Sequence, residues 1–175
     1  MLATHEYDLK IRVEHQGTNR SLPEVVVHEI GEGAFLDVDG LKATAFLVEH
    51  PPVDPAFCFR LDTKSRSIVV SGDTRPCENV IKNAHNVDLL VHECMHSAKA
   101  PFVPGGGWKS AEHRIDAMAR YHTFPDKLGL VARDARPKML LTTHMVPFSE
   151  PWELREIIGR EFSGPIVIGE DLMTT

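Results

Sequence analysis

The sequence predicts one α/β layer domain over residues 1–175, with a sheet that is antiparallel early and mixed later. Three observations carry that expectation. The first third of the chain is written in short β-branched and aromatic runs separated by turn residues. From Pro76 onward, apolar runs of strand length alternate with helical patterns. No internal repeat or low-complexity linker divides the chain, and its 175 residues can enclose a substantial core.

Taken in order, residues 7–13 alternate as Tyr-Asp-Leu-Lys-Ile-Arg-Val, the pattern of a half-buried strand, and residues 15–23 read as an exposed loop. Val25-Val26-Val27 and Ala34-Phe35-Leu36 are the next strand runs, parted by Gly31-Glu32-Gly33. Asp39-Gly40 is a hairpin signal, and residues 41–48 form the strand after it. Residues 57–61 and 68–71 make a second hairpin through the polar stretch 62–66. Residues 78–84 then read as a short helix and 88–91 as a core strand. The loop 101–109, with Gly105-Gly106-Gly107, is long enough for a lid and equally suits a plain connector. Ser110 caps a helix to residue 120, and Pro125 opens another to residue 134. A strand over 138–142, an amphipathic helix over 151–162 and a strand over 165–168 complete the order.

Composition narrows the function classes. The chain is 42% hydrophobic and 25% charged, an ordinary globular balance. Its net charge of −6 argues against a broad nucleic-acid or anionic-membrane footprint. No apolar run is long enough to cross a bilayer, and no charged-then-apolar leader opens the sequence. Three cysteines without a CxxC pair fit unpaired thiols in a reducing, cytoplasmic setting. Ten histidines point toward metal chemistry.

The strand Ile68-Val69-Val70-Ser71 stops abruptly at Gly72-Asp73-Thr74. An acid at the tip of a core strand suits a metal ligand or reactive carboxylate, and equally a turn cap. Three further positions fall at predicted strand ends: His50, His92-Glu93 and His144. Strand ends on one sheet edge converge on one cleft, and two histidines with a carboxylate form a donor set for zinc or a similar ion. A single strand-end histidine can also be no more than a hydrogen-bonded surface group.

These residues resemble the metallo-β-lactamase fold hydrolases, in particular the ribonuclease Z and arylsulfatase-like branch. Val48-Glu49-His50-Pro51-Pro52 is similar to the segment carrying the third metal motif, Ser71-Gly72-Asp73-Thr74 to the fourth, and Thr143-His144 to the fifth. His92-Glu93-Cys94 and His122-Thr123 resemble a paired motif of ribonuclease Z-like members. The resemblance implies half of an αββα sandwich, a mixed sheet with helices on one face. It implies His50, Asp73 and His144 as ligands of a two-zinc site, with manganese or iron as substitutes. It also implies Glu93 orienting His122, which would protonate the leaving group; a purely structural Glu93–His122 pair is the alternative.

Two departures from the family pattern shape the expected function. The His-x-His-x-Asp-His run is absent, so each metal would keep only two of these ligands where three or four are usual. The chain by itself is therefore expected to bind metal weakly and hydrolyse little. A complementing N-terminal half or a homo-oligomer would be needed, and an uncovered apolar sheet face would favour association. No basic arm is visible between His50 and Asp73. With the acidic charge, this favours a small phosphodiester, sulfate or related ester over RNA. Endonucleolytic processing of tRNA 3′ ends is the alternative activity, and a non-catalytic interaction module the alternative class. The cysteines read as core residues, and no membrane partner is expected.

Overall fold

A computed structural model describes residues 26–96, 109–146 and 149–174, with Tyr7, Lys10, Ile11, Glu14 and His15 near the N-terminus. The elements are β1 (Gly33–Val38), β2 (Leu41–His50), β3 (Val53–Asp62), β4 (Ser67–Val70), α1 (Glu78–Asn83), β5 (Leu89–Met95), α2 (Ala111–Met118), α3 (Pro125–Ala135), β6 (Leu140–Val146), α4 (Pro151–Gly159) and β7 (Ile166–Ile168). The seven strands form one sheet in sequence order. β1 to β4 pair antiparallel and β4 to β7 parallel, which is the mixed sheet read from the sequence.

Local chemistry accounts for the joints. At the β1–β2 hairpin Asp39 and Gly40 both take positive φ, 51° and 81°, as a two-residue turn matched to strand twist requires. The Ser110 hydroxyl accepts the His113 amide at 3.1 Å and starts α2, and Pro125 occupies the first turn of α3, where its missing N–H costs nothing. Gly129 in α3 lies so close to α4 that a Cβ there would sit 2.8 Å from the Ile158 carbonyl oxygen.

One apolar cluster holds the layers together. Phe46, Cys58, Val69, Leu90, Leu140 and Ile168 lie on one face of the sheet by their pairing register. They meet Val80 of α1, Leu128, Val131 and Ala132 of α3, and Leu154 and Ile158 of α4. The helices that contribute to this core thus cover one face. Phe57, Phe59, Val70, Val91 and Leu141 alternate to the other face and are half-buried.

Two expected strands are not formed among the described residues. Tyr7, Lys10, Ile11, Glu14 and His15 are helical, and Lys10 pairs with Glu14 at 3.8 Å one turn later. A period-two pattern has force only where a neighbouring strand and a covering layer exist; a helical turn gains the i,i+4 pair instead. Val26 and Val27 lie in irregular chain and are 64% and 74% exposed, so β-branching without a partner ladder made no strand. The proposed lid falls at 101–108, outside the described residues. No described helix is long and apolar enough to cross a membrane.

Candidate metal centre

The fourth strand delivers its carboxylate through a turn that only glycine fits. β4 hands over at Ser71, whose amide bonds the Val91 carbonyl at 2.9 Å. Gly72 then takes φ 56°, and a Cβ on it would lie 2.9 Å from the Phe57 carbonyl oxygen. The chain turns sharply there and presents Asp73. Thr74, fully buried, locks the next position: its amide donates to Glu93 Oε1 at 2.9 Å, and its carbonyl accepts the Thr123 hydroxyl at 2.7 Å.

Glu93 and His122 form the buried half of the site. Glu93 is 1% exposed, its amide donates to the Ser71 hydroxyl, and its Oε1 lies 2.9 Å from His122 Nδ1. The carboxylate therefore fixes the imidazole's orientation and favours a proton on Nδ1. Its neighbour His92 points into the core, where burial holds the imidazole below its ordinary pKa and so keeps it neutral. His92 and Glu93 stand inside β5, which runs to Met95, rather than at a strand end. The sequence window ended too early because a strand normally excludes two consecutive titratable groups; here each has a buried role.

His50 ends β2 as expected, and its Nδ1 lies 2.8 Å from the Tyr121 carbonyl oxygen. With Nδ1 donating, Nε2 is left as the nitrogen with a lone pair. The Tyr121 ring packs edge-on against His50 and His122, at centroid distances of 5.4 and 4.9 Å. No sequence signal marks a backbone carbonyl as the partner of a histidine, so Tyr121 was not foreseen.

His144 sits not at the end of β6 but at a bulge within it. Thr143 pairs Glu93 and Val146 pairs Met95, leaving His144 and Met145 opposite Cys94 alone. His144 takes φ 48°, a conformation unfavourable for a residue with a Cβ, and the bulge turns its ring toward Asp73. Nε2 lies 3.6 Å from Asp73 Oδ2.

All five residues singled out in the sequence thus meet. The rings of His50 and His122 are 5.0 Å apart and those of His122 and His144 6.0 Å. Ligand atoms of His50, Asp73 and His122 lie within 4.8 Å of one another. The donor set fits a divalent ion: His50 and His122 each have Nδ1 already committed, which leaves Nε2, and the Asp73 carboxylate lies within reach of both. His96, just past the end of β5, has its Nδ1 3.0 Å from the Ser149 hydroxyl. The thiols lie elsewhere. Cys58 and Cys94 are sealed in the core, and burial raises both, Cys94 up to about 12.

Comparison with known proteins bears on the family and the fold. No protein-family model matches the chain. A protein named putative ribonuclease Z from Mycobacterium tuberculosis strain CDC 1551 is 30% identical over 169 residues, 95% of this chain and 72% of that protein. Ribonuclease Z of Mycobacterium avium is 29% identical over 171 residues, 95% of this chain and 58% of its own length. Against that second relative the chain spans little more than half. Among solved structures, the metallo-β-lactamase fold protein YhfI of Bacillus subtilis superposes with TM-score 0.59 at 24% identity, over 77% of this chain and 49% of its own. The short form of human tRNase Z gives 0.52 at 22% identity, over 80% and 44%. At those identities the two structures speak for the fold alone.

Proposed function

Because this chain belongs to the ribonuclease Z family of metallo-β-lactamase fold hydrolases, we propose that it is a metal-dependent phosphodiesterase that cuts RNA, with maturation of tRNA 3′ ends as its reaction. The observation that carries this reading is the buried Glu93–His122 pair, set beside His50, Asp73 and His144. His50, Asp73 and His144 would hold divalent ions, zinc being the expected species and manganese or iron the substitutes. Ions bound there supply Lewis acidity and a nucleophile at neutral pH.

The remaining chemistry belongs to the chain. Glu93 fixes the Nδ1 proton of His122 and with it the orientation of the ring. Nε2 then delivers its proton to the ribose oxygen as that oxygen's bond to phosphorus breaks. Glu93 acts through His122 and is a positioning residue, held by the Thr74 amide on one side and its own strand on the other. With only His50, Asp73 and His144 as ligands, each ion falls short of the usual three or four, so the affinity of this chain alone is expected to be low. A second reading rests on the 4.8 Å grouping: His122 itself closes a ligand set with His50 and Asp73.

Two substrates separate RNA from a small ester. The relatives' names favour RNA, whereas the net charge of −6 favoured an ester. Cleavage of a tRNA precursor that weakens steeply with added salt, at a kcat/KM far above that for bis(p-nitrophenyl) phosphate, is the expected result. Efficient hydrolysis of the small diester with no cleavage of the precursor would overturn the RNA reading. The buried thiols suit action in the cytoplasm.

A further inference from the structure

A cavity of about 470 Å³ opens beside His122, between the chain after Asp73 and the start of α3. It falls within the range of sites that hold a small organic molecule, roughly 300–1,000 Å³. Pro76, Ala119 and Phe124 give it apolar lining, while Glu49, Asp126, Arg75 and Lys127 bring charges of both signs to it. His122 forms part of the wall, so an occupant of the cavity sits against the residue placed next to the leaving oxygen.

Resting on the proposed RNA reading, we infer that this cavity is the subsite for the nucleoside that carries the leaving ribose oxygen. An apolar floor containing Phe124 suits the face of a base, and the charged rim suits its polar edge. The two cations differ in availability. Arg75 is committed: Nε bonds Glu49 Oε2 at 2.6 Å, Nη2 reaches the same oxygen, and its backbone amide holds the Glu49 carbonyl at 2.9 Å. It serves as a fixed wall. Among the described residues Lys127 pairs with its sequence neighbour Asp126, at 3.2 Å, and both side chains are more than half exposed. Such a pair holds little energy, so Lys127 can turn to the phosphate on the far side of the bound nucleoside.

Adenosine 5′-monophosphate is the probe, since it presents a free 3′-hydroxyl at one end and a phosphate at the other. Its binding is measured by calorimetry with a chelator present, so that metal coordination contributes nothing. Ala119→Trp, at an exposed position, fills the cavity and should weaken binding about tenfold or more. Lys127→Ala should weaken it by roughly tenfold through the lost charge-assisted contact. The ratio of oligoribonucleotide to bis(p-nitrophenyl) phosphate cleavage should fall in both variants, with unfolding midpoints near that of the wild type. Binding that requires Ala119 and Lys127 in a protein that cuts no RNA would support the subsite and remove the RNA reading. No binding by the wild type, or equal binding by all three proteins, would overturn the subsite.

Discussion

At the scale of the single residue, the site depends on groups that hold others in place. Glu93 is nearly inaccessible and accepts from both the Thr74 amide and His122. Glu93→Gln keeps the shape and removes the charge, so the Nδ1 proton of His122 loses its charged acceptor. The expected result is a fall in kcat of roughly 10²–10⁴-fold, the range attributed to a positioned acid or base. Metal content, KM and the urea midpoint should be nearly unchanged, so that the loss falls on kcat alone, which a purely structural role would not produce. Gly72 is the second such residue. Gly72→Ala places a Cβ at φ 56° and against the Phe57 carbonyl. A loss of about 2 kcal/mol or more is expected from the left-handed conformation and the clash together, read from a urea midpoint. Asp73 should be displaced with it, so metal affinity falls as well.

At the scale of elements, the strand ends converge because the parallel half of the sheet is pinned at its opposite edge as well. Asp88, just before β5, accepts from Ser67 of β4 at 2.8 Å and from Lys138, ahead of β6, at 2.8 Å. Lys138 and the Ser67 amide lower the Asp88 carboxyl to about 2. A carboxyl depressed in the native state contributes stability above its unfolded value, about 4, and loses that contribution as pH falls toward 2. Asp88→Asn should therefore be less stable than the wild type at neutral pH, and the gap between their urea midpoints should close between about pH 4 and about pH 2. A gap that stays constant across that window would mean the carboxylate is not what holds the three strands. The sequence made most of these elements legible through ordinary signals: Asp39-Gly40 for the hairpin, Ser110 and Pro125 for helix starts, β-branched runs for β4 and β5. The failures were tertiary. Tyr7, Lys10 and Ile11 are helical and Val26 and Val27 irregular despite their strand composition, with no strand pairing them among the described residues. His144 was placed at a strand end because a bulge has no composition of its own.

At the scale of the molecule, the sheet order brings β2, β4, β5 and β6 to one edge, so residues far apart in sequence form one cluster. Four of the five proposed site residues were picked out as chemistry-bearing side chains at predicted strand ends, and His122, which lies between α2 and α3, through the family resemblance alone. Their supports were not: the Tyr121 carbonyl, the Thr74 amide and the Thr123 hydroxyl are held by folding alone. The acidic balance of the chain pointed away from RNA, yet its relatives carry a ribonuclease name. Net charge averages over the surface, whereas recognition is local. In the proposed site His50, Asp73 and His144 would hold the metal while His122, oriented by Glu93, moves the proton. The measurement that tests it most directly is a zinc titration of the protein and of its His50→Ala, Asp73→Ala, His144→Ala and His122→Ala variants, with phosphodiester cleavage followed in parallel. The three ligand variants should lose more affinity than the roughly 10–100-fold that outer partners contribute, whereas His122→Ala should keep its zinc and lose cleavage. A His122→Ala protein that loses zinc as severely as the others, or a wild type that binds none, would contradict the account.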